Sequence, residues 1–362
     1  MLSRRTLITS AASAAALAGV GYALWPGLDG YDDAIARQRH LLSGDPTRQD
    51  LLRMATLAAN GHNTQPWTFR LTNKGVQILP DFTRRTEVVD PDDHHLYVSL
   101  GCAAENLVIA ARAHGQNCDV SLDVAQGFPV IDIRLSAGQP DDPTLYKAIP
   151  LRQSTRSAYD GQPVSTEDLS LLQAAAKREG VDVLFFTEAA QLETVAEFVV
   201  AGNSAQMDDP AFIAELRDWL RFSPDKAVQM GDGLFSICSG NPALPEWLGG
   251  RLFDAVFTKD NENAKYRDHV RSSAGVAVFV ADKANPAHWI NVGRSFERFA
   301  LQATALGIRN AHINQPIEVP ELRQEFARWL DLPDRRPDLV IRFGRAPALP
   351  MSLRRPVDSL LV

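Results

Sequence analysis

Two stretches of this chain repeat one another at a constant offset, and that repeat limits the available folds more than any other feature. Leu100–Gly115 aligns with Val292–Gly307, so that Gly101 matches Gly293, Glu105 matches Glu297, Ala111 matches Ala303, Ala113 matches Ala305 and Gly115 matches Gly307. Small and apolar residues dominate both stretches. Each therefore predicts a closely packed, largely buried helix that stops at its terminal glycine.

Two further pairs occur in the same order. Thr47–Gly61 and Thr166–Gly180 have equal length and similar helical patterning, with Thr47 or Thr166 near each start. Pro129–Arg134 and Pro337–Arg342 both read as short strands. Three matches in one chain order predict a duplicated unit of helix, strand, buried helix and strand. That unit implies an α+β sandwich, with helices over a mainly antiparallel sheet. The two copies fall at 26–150 and 151–362. The second is interrupted from Ala201 to Tyr266, with helical stretches at Pro210–Arg221 and Glu246–Phe257. An insertion of that length is expected to form a lid. Its Trp219, Phe222, Phe235 and Trp247 either cover a ligand or pack the lid against the body.

The copies differ where chemistry could sit. Gly61 is followed by His62-Asn63-Thr64-Gln65-Pro66-Trp67, whereas Gly180 is followed by a plain apolar strand. Just before Thr166 lies Arg152-Gln153-Ser154-Thr155-Arg156, and the stretch before Thr47 has Arg37 and Arg39 without such a serine–arginine cluster. Each copy keeps one motif and lacks the other, which predicts one composite site between the halves. In an extended segment Arg152, Ser154 and Arg156 point the same way. Two guanidinium groups and a hydroxyl suit a phosphate, and a solvated basic turn serves the motif equally well on its own. Asn63 and Gln65 can each donate and accept, as a flavin or pyrimidine edge requires. Asn314-Gln315-Pro316-Ile317-Glu318 is a polar turn after the second buried helix.

Charge and composition exclude other classes. The formal net charge of −7 argues against a nucleic-acid binder. The three cysteines, Cys102, Cys118 and Cys238, form no metal or redox pair by spacing and read as structural thiols. Asp92-Asp93-His94-His95 lacks the spacing of a coordination sphere and reads as a solvated helix start, so no metal is expected. At the N-terminus, Ser3-Arg4-Arg5-Thr6-Leu7-Ile8 precedes an uncharged apolar run from Ala11 to Trp25. The segment 1–25 resembles a twin-arginine signal, which implies export of the folded protein by the twin-arginine translocase. The product would be periplasmic or anchored at the outer face of the inner membrane.

Taken together, the motifs resemble the nitroreductase family. Gly-x-Asn-x-Gln-Pro-Trp after a helix is similar to that family's flavin-edge segment, and Arg-x-Ser-x-Arg to its phosphate clamp. Asn-Gln-Pro-Ile-Glu resembles its segment against the isoalloxazine ring, and Arg354-Arg355-Pro356 its second phosphate contact. The resemblance runs from about Leu51 onward and is nearest to the Acg-type FMN-binding branch, in which one chain carries two nitroreductase-like halves. It implies a three-layer sandwich, a monomer that mimics a dimer internally, and one FMN. By that resemblance Arg152, Gln153, Ser154, Arg156, Arg354 and Arg355 would serve the phosphate. Gly61, His62, Asn63 and Gln65 would approach the ring, and Gln315, Pro316 and Ile317 would lie near its N5 side. His62 departs from the family pattern, which often has a small residue there. The activity implied is electron transfer from NAD(P)H or a redox partner to a nitroaromatic, quinone or enone, with no obligatory side-chain acid or base. The alternative is an FMN-sequestering protein.

Overall fold

A computed structural model describes residues 27–125, 127–332 and 334–362; the expected export signal lies outside them. In the first half, α1 (Asp29–Gln38) and α2 (Arg48–Thr56) lead into the hairpin β1 (Trp67–Leu71) and β2 (Gly75–Pro80). The long helix α3 (His94–Ala113) and the hairpin β3 (Gln116–Ala125) and β4 (Phe128–Ala137) complete it. The second half opens with α4 (Thr166–Ala176) and β5 (Val181–Phe186). Five helices follow: α5 (Ala189–Met207), α6 (Pro210–Asp218), α7 (Pro224–Met230), α8 (Glu246–Val256) and α9 (Lys259–Arg271). The chain then returns through β6 (Gly275–Ala281), α10 (Pro286–Ala305), β7 (Arg309–His312) and β8 (Pro337–Gly344).

The duplication is visible in the topology. One sheet has the order β1-β2-β4-β3 and the other β5-β6-β8-β7, each with its first strand at an edge and its third at the opposite edge. All neighbouring strands are antiparallel. In each half the long helix connects the second and third strands. Local sequence sets the ends: Thr47 caps α2 in a reciprocal box with Asp50, and Gly115 and Gly307 turn left-handed after α3 and α10, at φ 75° and 69°.

The halves differ between their first two strands. β1 and β2 join by a tight turn, whereas 187–274 separates β5 from β6. The expected insertion boundaries fall inside regular helices, since α5 runs past Ala201 and α9 past Tyr266. Those two helices carry Val195, Val199 and Val270 onto the outer face of the second sheet, against Val276, Val278 and Val280. That cover explains why every residue of β6 and β8 is buried. The true excursion is 208–258, which holds α6, α7 and α8.

At the centre α3 and α10 cross between the two sheets. Gly101 and Gly293, matched in the sequence repeat, meet at this crossing. A methyl group on Gly101 would lie 2.1 Å from the Ile290 carbonyl oxygen, and one on Gly293 would lie 1.9 Å from that of Val98. Each glycine thus faces the carbonyl three positions before the other, the reciprocal arrangement of a twofold interface. Cys102 Sγ reinforces the crossing with a 3.2 Å hydrogen bond to the Gly293 carbonyl. Because backbone meets backbone, neither side can yield by a change of rotamer. Gly101→Ala and Gly293→Ala should each destabilise the protein by about 1–3 kcal/mol or more, read as a lower urea midpoint. Unchanged midpoints for both would refute the crossing.

Candidate functional site

The loop after α2 is held against ordinary backbone preference. His62, Asn63 and Gln65 all have positive φ, at 47°, 55° and 53°, a region that costs non-glycine residues about 1–3 kcal/mol each. At the matching turn of the second copy, Gly180 has φ 74° without that cost. The first-copy loop keeps its shape because Asn63 is tied on three sides. Its Nδ2 donates to the Gly233 carbonyl at 2.9 Å and the Leu353 carbonyl at 3.1 Å, and its Oδ1 accepts from Arg354 at 2.8 Å. One amide therefore joins the loop, the excursion and the C-terminal tail.

Beside this knot lies a small polar cavity of about 40 Å³. Arg152–Arg156 runs extended along β7, with Thr155 N–H donating to the Asn310 carbonyl at 2.9 Å. Arg152, Gln153, Ser154 and Arg156 line the cavity with Asn63, Arg354 and Arg39. Four guanidinium groups thus converge, and among the described residues their one ion-pair partner is Glu297, 3.0 Å from Arg152 Nε. Burial lowers Arg39 to about 10, and Arg152 nearby adds to the shift. Burial also lowers Arg156 and Arg354, the latter with help from Arg39 and Arg152. Such a cluster is relieved by an anion. Arg354 donates to the Thr56, Leu57 and Ala58 carbonyls and so also caps the end of α2. Gln153 brackets Leu349 with both ends of its amide. Arg156 differs from these: it has no hydrogen-bond or ion-pair partner among the described residues.

Arg156, with Ala59, Asn60 and Leu234, also lines a second cavity of about 560 Å³. Gly61, His62, His95 and Ser99 line it from the first half, and Arg156, Phe296, His312 and Gln315 from the second. Phe212, Leu216, Phe222, Leu252, Phe253 and Phe257 close it from the excursion. The excursion thus contributes a cluster of large apolar side chains, with Ser236, Ser239 and Asn241 beside them, and the body a mixture of polar and apolar groups. A methyl group on Gly61 would have no atom within 4 Å. His62 Nδ1 and Gln315 Oε1 are buried without a hydrogen-bond partner, as expected of groups that serve a ligand. Burial lowers His62 to about 4, so it is neutral.

The pseudo-equivalent position in the other copy is filled. Glu297 Oε2 accepts from Ala59 N–H at 3.1 Å next to the large cavity. Its counterpart Glu105 meets Arg178, the residue matching Ala59, at 3.0 Å, with Arg294 at 2.7 Å and Arg298 at 3.2 Å. Burial alone would raise Glu105, but these three arginines hold its carboxyl below the usual range.

Four expected site residues stand outside both cavities. Gln65 is fully buried between the Gly231 carbonyl and Arg355 N–H. Arg355 reaches toward Asp81, at 3.8 Å. Pro316 opens a one-turn helix, Gln315–Glu318, and Ile317 packs with Val195 and Phe326. Asn63 lines only the small cavity, and its amide is engaged by protein. Of the four excursion aromatics only Phe222 reaches the large cavity; Trp219 lies under the Arg84 guanidinium, Phe235 meets Tyr31 edge to face, and Trp247 is 62% exposed.

The segment read as a solvated helix start does begin α3, with Asp92 exposed, but its histidines turn inward. His94 is 1% exposed and its Nε2 lies 2.9 Å from Asp338 Oδ1, while His95 lines the large cavity. Asp90, His94 and His95 bring ligand-type atoms within 4.8 Å of one another. Asp90 already accepts the His95 and Leu96 N–H groups, and Asp338 holds His94. Arg39 and His95 are the residues that sequence patterns missed. Arg39 stands in a stretch that lacks a serine–arginine cluster and His95 reads as part of a solvated run, and only the fold brings them to the cavities.

No protein-family model matches the chain. A Mycobacterium tuberculosis protein named "Putative NAD(P)H nitroreductase" is 25% identical over 332 residues, covering 87% of this chain and 91% of its own. Among solved structures, a nitroreductase with bound FMN from Desulfitobacterium hafniense aligns with TM-score 0.38 and 16% identity, over 60% of this chain and 97% of that one. An FMN-dependent nitroreductase from Mycobacterium smegmatis in complex with NADPH aligns with TM-score 0.37 and 16% identity, over 56% and 87%. In sequence, the chain is similar along nearly all its length to a protein that carries the nitroreductase name.

Proposed function

We propose that this chain is an FMN-dependent oxidoreductase of the nitroreductase type, with one cofactor per chain bound between its halves. The observation that carries the reading is Arg156, an unpartnered guanidinium at the junction of a small arginine-rich cavity and a large, partly apolar one. A phosphate and a flavin ring are a polar and an apolar group joined by a short chain, and the two cavities match them in order. Arg39, Arg152, Ser154, Arg156 and Arg354 would hold the phosphate. Gly61 would let the ring approach the loop after α2, with His62 and Gln315 supplying polar contacts. FMN, when bound, supplies hydride and single-electron transfer at its ring. The nitroreductase name of the curated relative supports NAD(P)H as donor, and the apolar wall suits a nitroaromatic, quinone or enone as acceptor. The internal twofold arrangement supports a monomer, and Arg4-Arg5 supports twin-arginine export. Sequestration of FMN beneath the excursion is the second reading, favoured by the apolar residues it lays over the large cavity.

Arg156→Ala should weaken FMN binding by about ten- to a hundredfold, since one lost charge-assisted hydrogen bond is worth about 1.5–3 kcal/mol. Riboflavin, which lacks the phosphate, should lose far less; equal losses in a fluorescence titration would move Arg156 away from the phosphate. Gly61→Leu enters open space, so the urea midpoint should barely change while flavin affinity falls about tenfold or more. Undiminished affinity would exclude Gly61 from the ring site. Replacing Arg4 and Arg5 with lysine should leave flavin-loaded protein in the cytoplasm, and unchanged fractionation would count against the export reading.

A further inference from the structure

Two-electron reduction of a neutral acceptor consumes a proton as well as a hydride, and one side chain of the large cavity is arranged to give it. His95 stands in the first turn of α3, where Asp90 fixes its backbone N–H at 3.0 Å. Its Nε2 lies 3.4 Å from Glu318 Oε1, across the junction between the halves. Gln206 secures that glutamate by donating to its Oε2 at 2.6 Å. The two side chains are 13% and 16% exposed, and both border the cavity. His95 Nδ1 has no hydrogen-bond partner among the described residues. The imidazole is thus held at one nitrogen and unpaired at the other, the geometry of an oriented acid.

We propose that His95, oriented by Glu318, is the proton donor of this chamber toward a quinone acceptor. The inference rests on the reading of the chamber as a flavin site. Reduced flavin, when bound, would supply a hydride to one quinone oxygen. The π system shifts an electron pair onto the other oxygen, and that oxygen takes the proton from His95 Nδ1. The product is a neutral hydroquinone, and solvent returns a proton to the imidazole.

Electrostatics agrees with this geometry. Four histidines line the cavity: His62, His95, His269 and His312. Burial lowers His62 to about 4, and His269 and His312 to about 3. Burial would lower His95 too, but the Glu318 hydrogen bond and the charges of Asp90 and Glu318 hold it above its ordinary value against Arg336. The other groups that feel its charge are His94 on its own turn, His62 on the loop, His312 on β7 and Asp338 on β8. Of the four cavity histidines, His95 is the one whose surroundings favour the protonated form. The raised value means that acid capacity is present below it and is lost as pH rises through it.

The test uses the full chain reconstituted with FMN. Pre-reduced protein is mixed with menadione, which needs a proton, or with ferricyanide, which takes one electron and none. His95→Gln should slow reoxidation by menadione about a hundredfold or more and leave ferricyanide reoxidation and FMN affinity unchanged. The menadione rate of the unaltered protein should fall on the alkaline side, and Glu318→Gln should move that fall to lower pH. Independently of turnover, the His95 ring signal in an NMR titration should titrate above the free-imidazole range and drop in Glu318→Gln. Equal effects on both oxidants, or none on either, would overturn the proposal, as would a His95 signal that titrates low. If His95→Gln does not fold, Glu318→Gln decides by the same pH shift. Failure to bind FMN at all would refute the flavin reading itself, a result separate from any of these.

Discussion

The crossing of α3 over α10 is the constraint on which the rest of the molecule depends. At Gly101 and Gly293 the two backbones touch, so the distance and the reciprocal geometry of the two halves are fixed by main-chain atoms. Side chains one turn further on then lie at defined places between the sheets. Glu105 and Glu297 are carried to equivalent points, Glu297 against the end of α2 and Glu105 against the end of α4. A looser crossing lined by leucines would leave those carboxylates free to drift, with nothing to register one half against the other.

The two glutamates show how a duplicated scaffold diverges without changing its frame. At one, the facing residue is Ala59, whose N–H satisfies an oxygen and whose small side chain leaves space for the large cavity. At the other, Arg178 occupies the matching position and, with Arg294 and Arg298, ion-pairs with Glu105. An uncompensated buried carboxylate is costly, so each pseudo-equivalent glutamate needs a partner. In one half backbone and Arg152 supply it; in the other a cluster of arginine side chains does.

Much of this organisation could be read from the chain. The glycine, glutamate and alanine matches at 101–115 and 293–307 predicted two buried helices, and the structure shows them as the centre of a repeated strand order. The complementary motifs at 61–67 and 152–156 predicted a composite site, and the structure brings their cavity-lining members together. Individual side chains were harder. Gln65 is held by the Gly231 carbonyl and the Arg355 N–H, and the Arg355 side chain turns toward Asp81, so neither side chain reaches a cavity. His95 looked solvated because a run of Asp and His is polar, and no local pattern reveals that Glu318 and Asp338 approach from the other half. Arg39 reaches its cavity from the end of a short helix far from any motif.

The small cavity is assembled from segments at opposite ends of the chain. Arg39 comes from α1, whereas Leu353 and Arg354 come from the tail and are threaded onto the end of α2 and onto Asn63. The small cavity and the cap on α2 are therefore complete only once residue 354 has folded back onto the first half. Closure of that cavity is accordingly a long-range event, since Asn63 and Arg354 meet across 291 positions of chain.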